Sequence, residues 1–188
     1  MRVLLSPDLP LIQGCIVNIY KFNIIILKCV GWKSPIKVLK YDTNTGKANV
    51  LIESADVIFT LDFNALDRIG EMEVPVTNSK AIKIMIDHHQ QPDDYATFIY
   101  SDVSMSSTSE MIYNLIEMFE DIEKIDVNIA TCLYTGIMTD TGSFKYSCTT
   151  TRTHNIIGVL IEKGADNAKI HNNIYDTFSY NQLQLLGC

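Results

Sequence analysis

From about residue 36 onward, short apolar blocks that stop at an acid alternate with longer stretches of helical spacing. Val57–Leu61 is a continuous run closed by Asp62. Ile82–Ile86, interrupted only by Lys83, is closed by Asp87, and Thr97–Tyr100 forms a third block. Runs this short and rich in β-branched residues predict buried strands. Ser107-Thr108-Ser109-Glu110 has the spacing of a capping box, and Met111, Ile112, Leu115, Ile116 and Phe119 then recur at helical intervals. Val127–Met138 predicts a second helix, with Ile129, Ala130, Leu133 and Ile137 apolar. Arg152–Lys163 predicts a third, with Gly164 where a helix-ending glycine belongs, and one more short helix follows it. The stretch Ile16–Val30 is interrupted by Lys21, Asn23 and Lys28 and is too short to span a bilayer, so it reads as a buried strand. This alternation predicts an α/β domain with a mostly parallel sheet.

Composition narrows the function. The 188 residues, 47% apolar, suit one domain or one with a small appendage. The net charge of −7 argues against a duplex-DNA binder that covers phosphates with Lys and Arg. It leaves phosphate substrates open, because carboxylates gathered in a cleft can hold divalent cations that attract the phosphate. Cys15, Cys29, Cys132, Cys148 and Cys188 are odd in number and contain no Cys-x-x-Cys pair. A disulfide framework or thiolate zinc site is therefore not expected, and a reducing cytoplasm fits. Ser6, Pro7 and Asp8 cut short the apolar residues 3–5, so no secretory signal or membrane association is read.

Candidate chemistry gathers where the apolar blocks end. Asp62 and Asp87 follow strands, at the rim where open α/β sheets bind ligands. Asp140 follows the helix predicted to end near Met138–Thr139. Taken singly, each acid reads more readily as an ordinary turn residue. The cluster Asp87-His88-His89 shifts that balance, since the chain has only four histidines. Carboxylate with imidazole suits Mn, Zn or Fe better than Ca or Mg, and a carboxylate can also fix a ring's tautomer. A surface turn that happens to contain two histidines stays open as the alternative. Asp140-Thr141-Gly142 offers another oxygen ligand beside a glycine that permits a tight turn, or a plain turn after a helix. Ser106-Ser107-Thr108 stands where a helix N-terminus can touch phosphate, but the helix cap alone explains it, and His154 and His171 receive no role.

Leu61-Asp62-Phe63-Asn64, then Asp87-His88-His89, then Gly136-Ile137-Met138-Thr139-Asp140-Thr141-Gly142 resemble, in order, the second, third and fourth motifs of the DHH phosphoesterases. The likeness runs from about Trp32 to Gly187 and leans to the bifunctional oligoribonuclease and phosphoadenosine-phosphate phosphatase branch. It implies a three-layer α/β fold, a mostly parallel sheet flanked by helices, over a single catalytic domain (residues 1–188). It also implies two divalent metals, usually Mn2+, with Mg2+ or Co2+ as substitutes. In that scheme Asp62 bridges the metals and His88 and Asp140 bind one of them. His89 contacts or helps protonate the scissile phosphate, and Asp87 orients a neighbour.

The start departs from the family. Its first motif has the form His-x-x-Pro-Asp-Gly-Asp-Ala, whereas here Ser6-Pro7-Asp8 is followed by Leu9 and Pro10. Asp8 remains a metal-ligand candidate, and the first 30 or so residues read as atypical, as from a rearranged or frameshifted start. The family's C-terminal substrate-binding domain is not expected within the chain. The resemblance thus implies a cytoplasmic hydrolase of short oligoribonucleotides or 3′-phosphoadenosine 5′-phosphate. Cyclic dinucleotide or pyrophosphate and polyphosphate are alternative substrates, and an impaired remnant that only binds metal is a third reading. The partners implied are a small phosphate ester or short single-stranded RNA, no duplex DNA and no membrane, with homodimerisation left open.

Overall fold

A computed structural model describes residues 24–25 and 39–175. The chain divides into two compact units, Met1–Thr108 and Ser109–Cys188.

In the first unit, β1 (Ile24–Ile25) pairs antiparallel with β2 (Leu39–Lys40). The expected strand over Ile16–Val30 otherwise lies outside the described residues. The body of the unit is a parallel sheet in the order β3 (Val57–Leu61), β4 (Ile82–Asp87), β5 (Phe98–Ser101). All three apolar blocks are therefore strands, as the pattern predicts. Leu61 pairs with Ile86 and Asp87 with Ser101, so the carboxyl ends share one edge. The Asp62 amide still donates to the Ile86 carbonyl at 3.2 Å. The ladder thus runs to the rim, and Asp62 and Asp87 leave it side by side.

Two crossovers serve this sheet. Between β3 and β4 the chain passes through a 3-10 segment (Leu66–Met72) and α2 (Glu73–Asn78). Leu66, Ile69, Met72 and Val76 from that crossover close a core with Ile58 of β3 and Tyr41, Ala48 and Ile52 of α1 (Tyr41–Glu53). Between β4 and β5, residues 88–97 form neither helix nor strand. A parallel connection normally carries a helix, so this irregular segment needs other restraints.

The second unit is helical. Its first helix, α3 (Thr108–Met118), starts at the last residue of the first unit. α4 (Val127–Asp140) is capped by Asp126, whose Oδ1 accepts from the Asn128 and Ile129 amides at 2.9 Å. α5 (Thr151–Glu162) opens with a reciprocal Thr150–Thr153 box and is followed by Gly164 at φ +101°, the left-handed stop expected there. α6 (Asn167–Tyr175) is the further short helix. Ala130, Leu133, Ile137, Met138, Ile156 and Leu160 are all buried, one apolar stripe from each of α4 and α5. The predicted helices are present with ends moved by a residue or two. The one shift that matters makes Asp140 the last helical residue of α4. The fold is α/β with a parallel sheet. Among the described residues no helix is long and apolar enough to cross a membrane.

Candidate metal centre

Asp62 directly follows β3 with φ +63°, a left-handed conformation that aspartate tolerates better than most side chains. Its Oδ1 accepts a hydrogen bond from the buried Thr108 hydroxyl at 3.0 Å. Burial pushes the Asp62 carboxyl above its ordinary pKa, and the Thr108 bond partly offsets this. The side chain is thus a half-buried anion whose surroundings make charge costly without a cation beside it.

The imidazoles that follow β4 are each held by a different group. Nδ1 of His88 faces the Met105 carbonyl oxygen at 3.3 Å. A carbonyl can only accept, so in the neutral ring Nδ1 carries the proton and Nε2 keeps a lone pair. That Nε2 lies 3.6 Å from Asp62 Oδ1. His89 is set by Asp87, whose Oδ2 accepts the His89 amide and whose Oδ1 meets His89 Nδ1, both at 2.8 Å. Asp87 is fully buried, so its carboxylate works on His89 and not on solvent. In the neutral ring Nε2 of His89 is likewise left with its lone pair. The two rings stand edge to face, 4.7 Å between centroids.

Asp62, His88 and His89 each offer a ligand atom within 4.8 Å of the others. The donor set fits a divalent transition metal. Two lone-pair-bearing atoms, Asp62 Oδ1 and His88 Nε2, face each other at a distance too long for a good hydrogen bond, and a cation between them removes the repulsion. A metal held there would supply Lewis-acid activation of water and neutralise charge on a phosphate. The protein's own contribution is orientation: Thr108 turns Asp62, the Met105 carbonyl turns His88, and Asp87 turns His89.

Of the predicted site residues, the structure brings together Asp62, Asp87, His88 and His89. Asp140 belongs to the second unit, half-buried at the end of α4. Asp8 lies outside the described residues. Sequence reading missed Thr108 as a partner of Asp62, because a cap explained it fully, and missed the Met105 carbonyl, which no side-chain pattern announces. Asn64, which closes the Leu61-Asp62-Phe63-Asn64 motif, carries no local signal of its role. Asn64 donates its amide to the carbonyls of Gln90 and Gln91, the residues directly after His89.

A carboxylate–imidazole cluster at the carboxyl edge of a parallel sheet offers the ligand set of a divalent-metal site. Residues 14–137 match the model of the DHH family, N-terminal domain, and the chain belongs to that family, whose members are metal-dependent phosphoesterases. Asp62, Asp87, His88 and His89 fall inside the matched span, and Asp8 and Asp140 outside it. The chain is 34% identical over 122 residues to the bifunctional oligoribonuclease and PAP phosphatase NrnA of Bacillus subtilis, covering 64% of this chain and 38% of that protein. It is 31% identical over 109 residues to the cyclic-di-AMP phosphodiesterase GdpP of the same organism, covering 56% of this chain and 16% of that protein. The crystal structure of an exopolyphosphatase-related protein from Bacteroides fragilis superposes with a TM-score of 0.78 at 43% identity, over 80% of this chain and 44% of that one. The chain therefore spans less than half the length of each of these three proteins.

Proposed function

We propose that residues 1–188 form a catalytic domain that hydrolyses short oligoribonucleotides or 3′-phosphoadenosine 5′-phosphate with two divalent metals, manganese first among them. The observation that carries this reading is the cluster of Asp62 and His88, with their donor atoms 3.6 Å apart, beside His89. In this scheme Asp62, His88 and Asp140 bind metal, with Asp8 as a further ligand. His89 meets the scissile phosphate, and Asp87 holds it for that task. The choice of substrate follows the likeness to the B. subtilis oligoribonuclease and PAP phosphatase. The acidic charge favours a small anionic substrate drawn in by metal over duplex DNA. The cysteine pattern suits a reducing cytoplasm.

The test is a panel of di- to pentaribonucleotides, 3′-phosphoadenosine 5′-phosphate, a cyclic dinucleotide, pyrophosphate and polyphosphate, each with Mn2+ and with Asp62→Ala as control. Release of nucleoside monophosphates or of inorganic phosphate from the first two, lost in Asp62→Ala, is the expected result. Preference for the cyclic dinucleotide would favour the second reading, which the likeness to the cyclic-di-AMP phosphodiesterase supports. Metal binding without turnover on any substrate would favour a chain that only binds metal, which Leu9 and Pro10 in the first-motif positions support.

A further inference from the structure

The ten residues 88–97 that connect β4 to β5 contain no helix and carry both histidines of the candidate centre. Gln91, within them, sits at φ +60°, an unfavourable left-handed conformation for a long side chain. Such a segment holds one geometry only if something outside it supplies bonds.

Asn64 supplies them. It lies two residues after Asp62 and is 6% exposed. Its Nδ2 donates to the Gln90 carbonyl and, at 3.3 Å, to that of Gln91. Its own carbonyl accepts the Asp93 amide at 2.8 Å. Its Oδ1 accepts from Arg68 Nη1 at 3.0 Å. Both amide hydrogens and the amide oxygen are thus occupied, which fixes the flip of the side chain. Arg68 itself is exposed and makes no ion pair among the described residues; its guanidinium is hydrogen-bonded to the amide of Asn64.

We infer that Asn64 is a positioning residue. It bolts the segment that carries His88 and His89 to the end of β3, so that both imidazoles face Asp62, and Arg68 holds Asn64 in the orientation that does this. The inference rests on reading Asp62 and His88 as metal ligands. It adds that the spacing between them is set by a side chain that hydrogen-bonds to neither.

Two readouts test it. Hydrogen exchange of amides 89–93 in the metal-free chain reports the clamp, and Mn2+ titration calorimetry reports its consequence. Asn64→Leu, close in size and without donors, is expected to speed exchange in that segment at least tenfold. It is also expected to weaken Mn2+ binding about tenfold, the low end for losing a group that orients a ligand. Arg68→Ala should do the same more mildly; loss of a positive charge alone would instead tighten a cation. Ile52→Val, which loosens the core without touching the clamp, should leave Mn2+ affinity unchanged. Wild-type exchange and affinity in both Asn64→Leu and Arg68→Ala would overturn the inference. Equal loss of affinity in Ile52→Val would reduce Asn64 to general stability and overturn it too. If Asn64→Leu fails to fold, Arg68→Ala decides by the same criteria. A wild-type chain that binds no Mn2+ would overturn the metal-centre reading, and the exchange comparison would then stand alone in deciding whether Asn64 holds the segment.

Discussion

Thr108 donates its hydroxyl proton to Asp62 Oδ1 across 3.0 Å, so the first residue of α3 governs the carboxylate at the end of β3. Thr108→Val keeps the β-branched shape and removes the donor. Orienting partners of this kind are typically worth about 10- to 100-fold in metal affinity. We expect Mn2+ binding to weaken by about tenfold in calorimetry, with the helical circular-dichroism signal retained. Unchanged affinity would show that Asp62 is oriented by the backbone alone.

His89 offers the sharpest division of roles. Its ring is locked by Asp87 at 2.8 Å, and its ligand atom still lies within 4.8 Å of those of Asp62 and His88. If it serves the phosphate, His89→Ala should lower turnover about 100-fold or more, as for loss of a positioned general acid–base group, with Mn2+ affinity little changed. If it is a third ligand, Mn2+ affinity falls together with turnover. Asp87→Ala should follow whichever pattern His89→Ala shows, because its carboxylate is spent on that residue. It should also cost stability, since the His89 amide and ring lose a buried partner.

Much of this site could be read from the order of residues. Parallel strands place their carboxyl ends on one edge, so an acid closing Val57–Leu61 and an acid with two histidines closing Ile82–Ile86 become neighbours once the two runs pair directly and in register. What escaped were contacts without a local pattern. α1 carries Asn44, Gly46 and Asn49, all poor helix formers, and Asn44 is itself non-helical, so no clean periodicity marks it. Ala48 and Ile52 make it a helix by packing into the core of the first unit. Thr108 and Asn64 act at 46 and 26 residues' separation from their partners, and no spacing rule reaches so far.

Tyr95 supplies a pH dependence independent of the metal. Its hydroxyl donates to Thr60 Oγ1 at 2.6 Å, and burial pushes its pKa up to about 12. The folded value lies above the ordinary one near 10, so the folded state holds this proton longer than the unfolded state does. The stability it contributes is complete below about pH 10 and is lost as pH rises through about 12. Urea unfolding should place Tyr95→Phe about 1 kcal/mol below wild type at pH 9, as for loss of one hydrogen bond, with the gap closing by pH 11.5. A gap constant over that range would mean that the phenol titrates normally.

Two glycines in the helical unit should respond in opposite senses to the same added methyl group. At Gly136 of α4 a Cβ would collide with the Ser109 side chain of α3, so this glycine sets how closely the two helices approach. Gly136→Ala forces a rotamer change or a shift of the helix pair, at about 1–3 kcal/mol of stability. At Gly158 of α5 a Cβ would meet nothing within 4 Å, and the position is exposed. Gly158→Ala therefore restricts only the unfolded chain and should stabilise by about 0.5–1 kcal/mol. Thermal unfolding of the two variants beside wild type reads both signs. Equal destabilisation would mean that Gly158 is not the open surface position its surroundings show. Tolerance at Gly136 would mean that α3 and α4 are looser than their backbone separation implies.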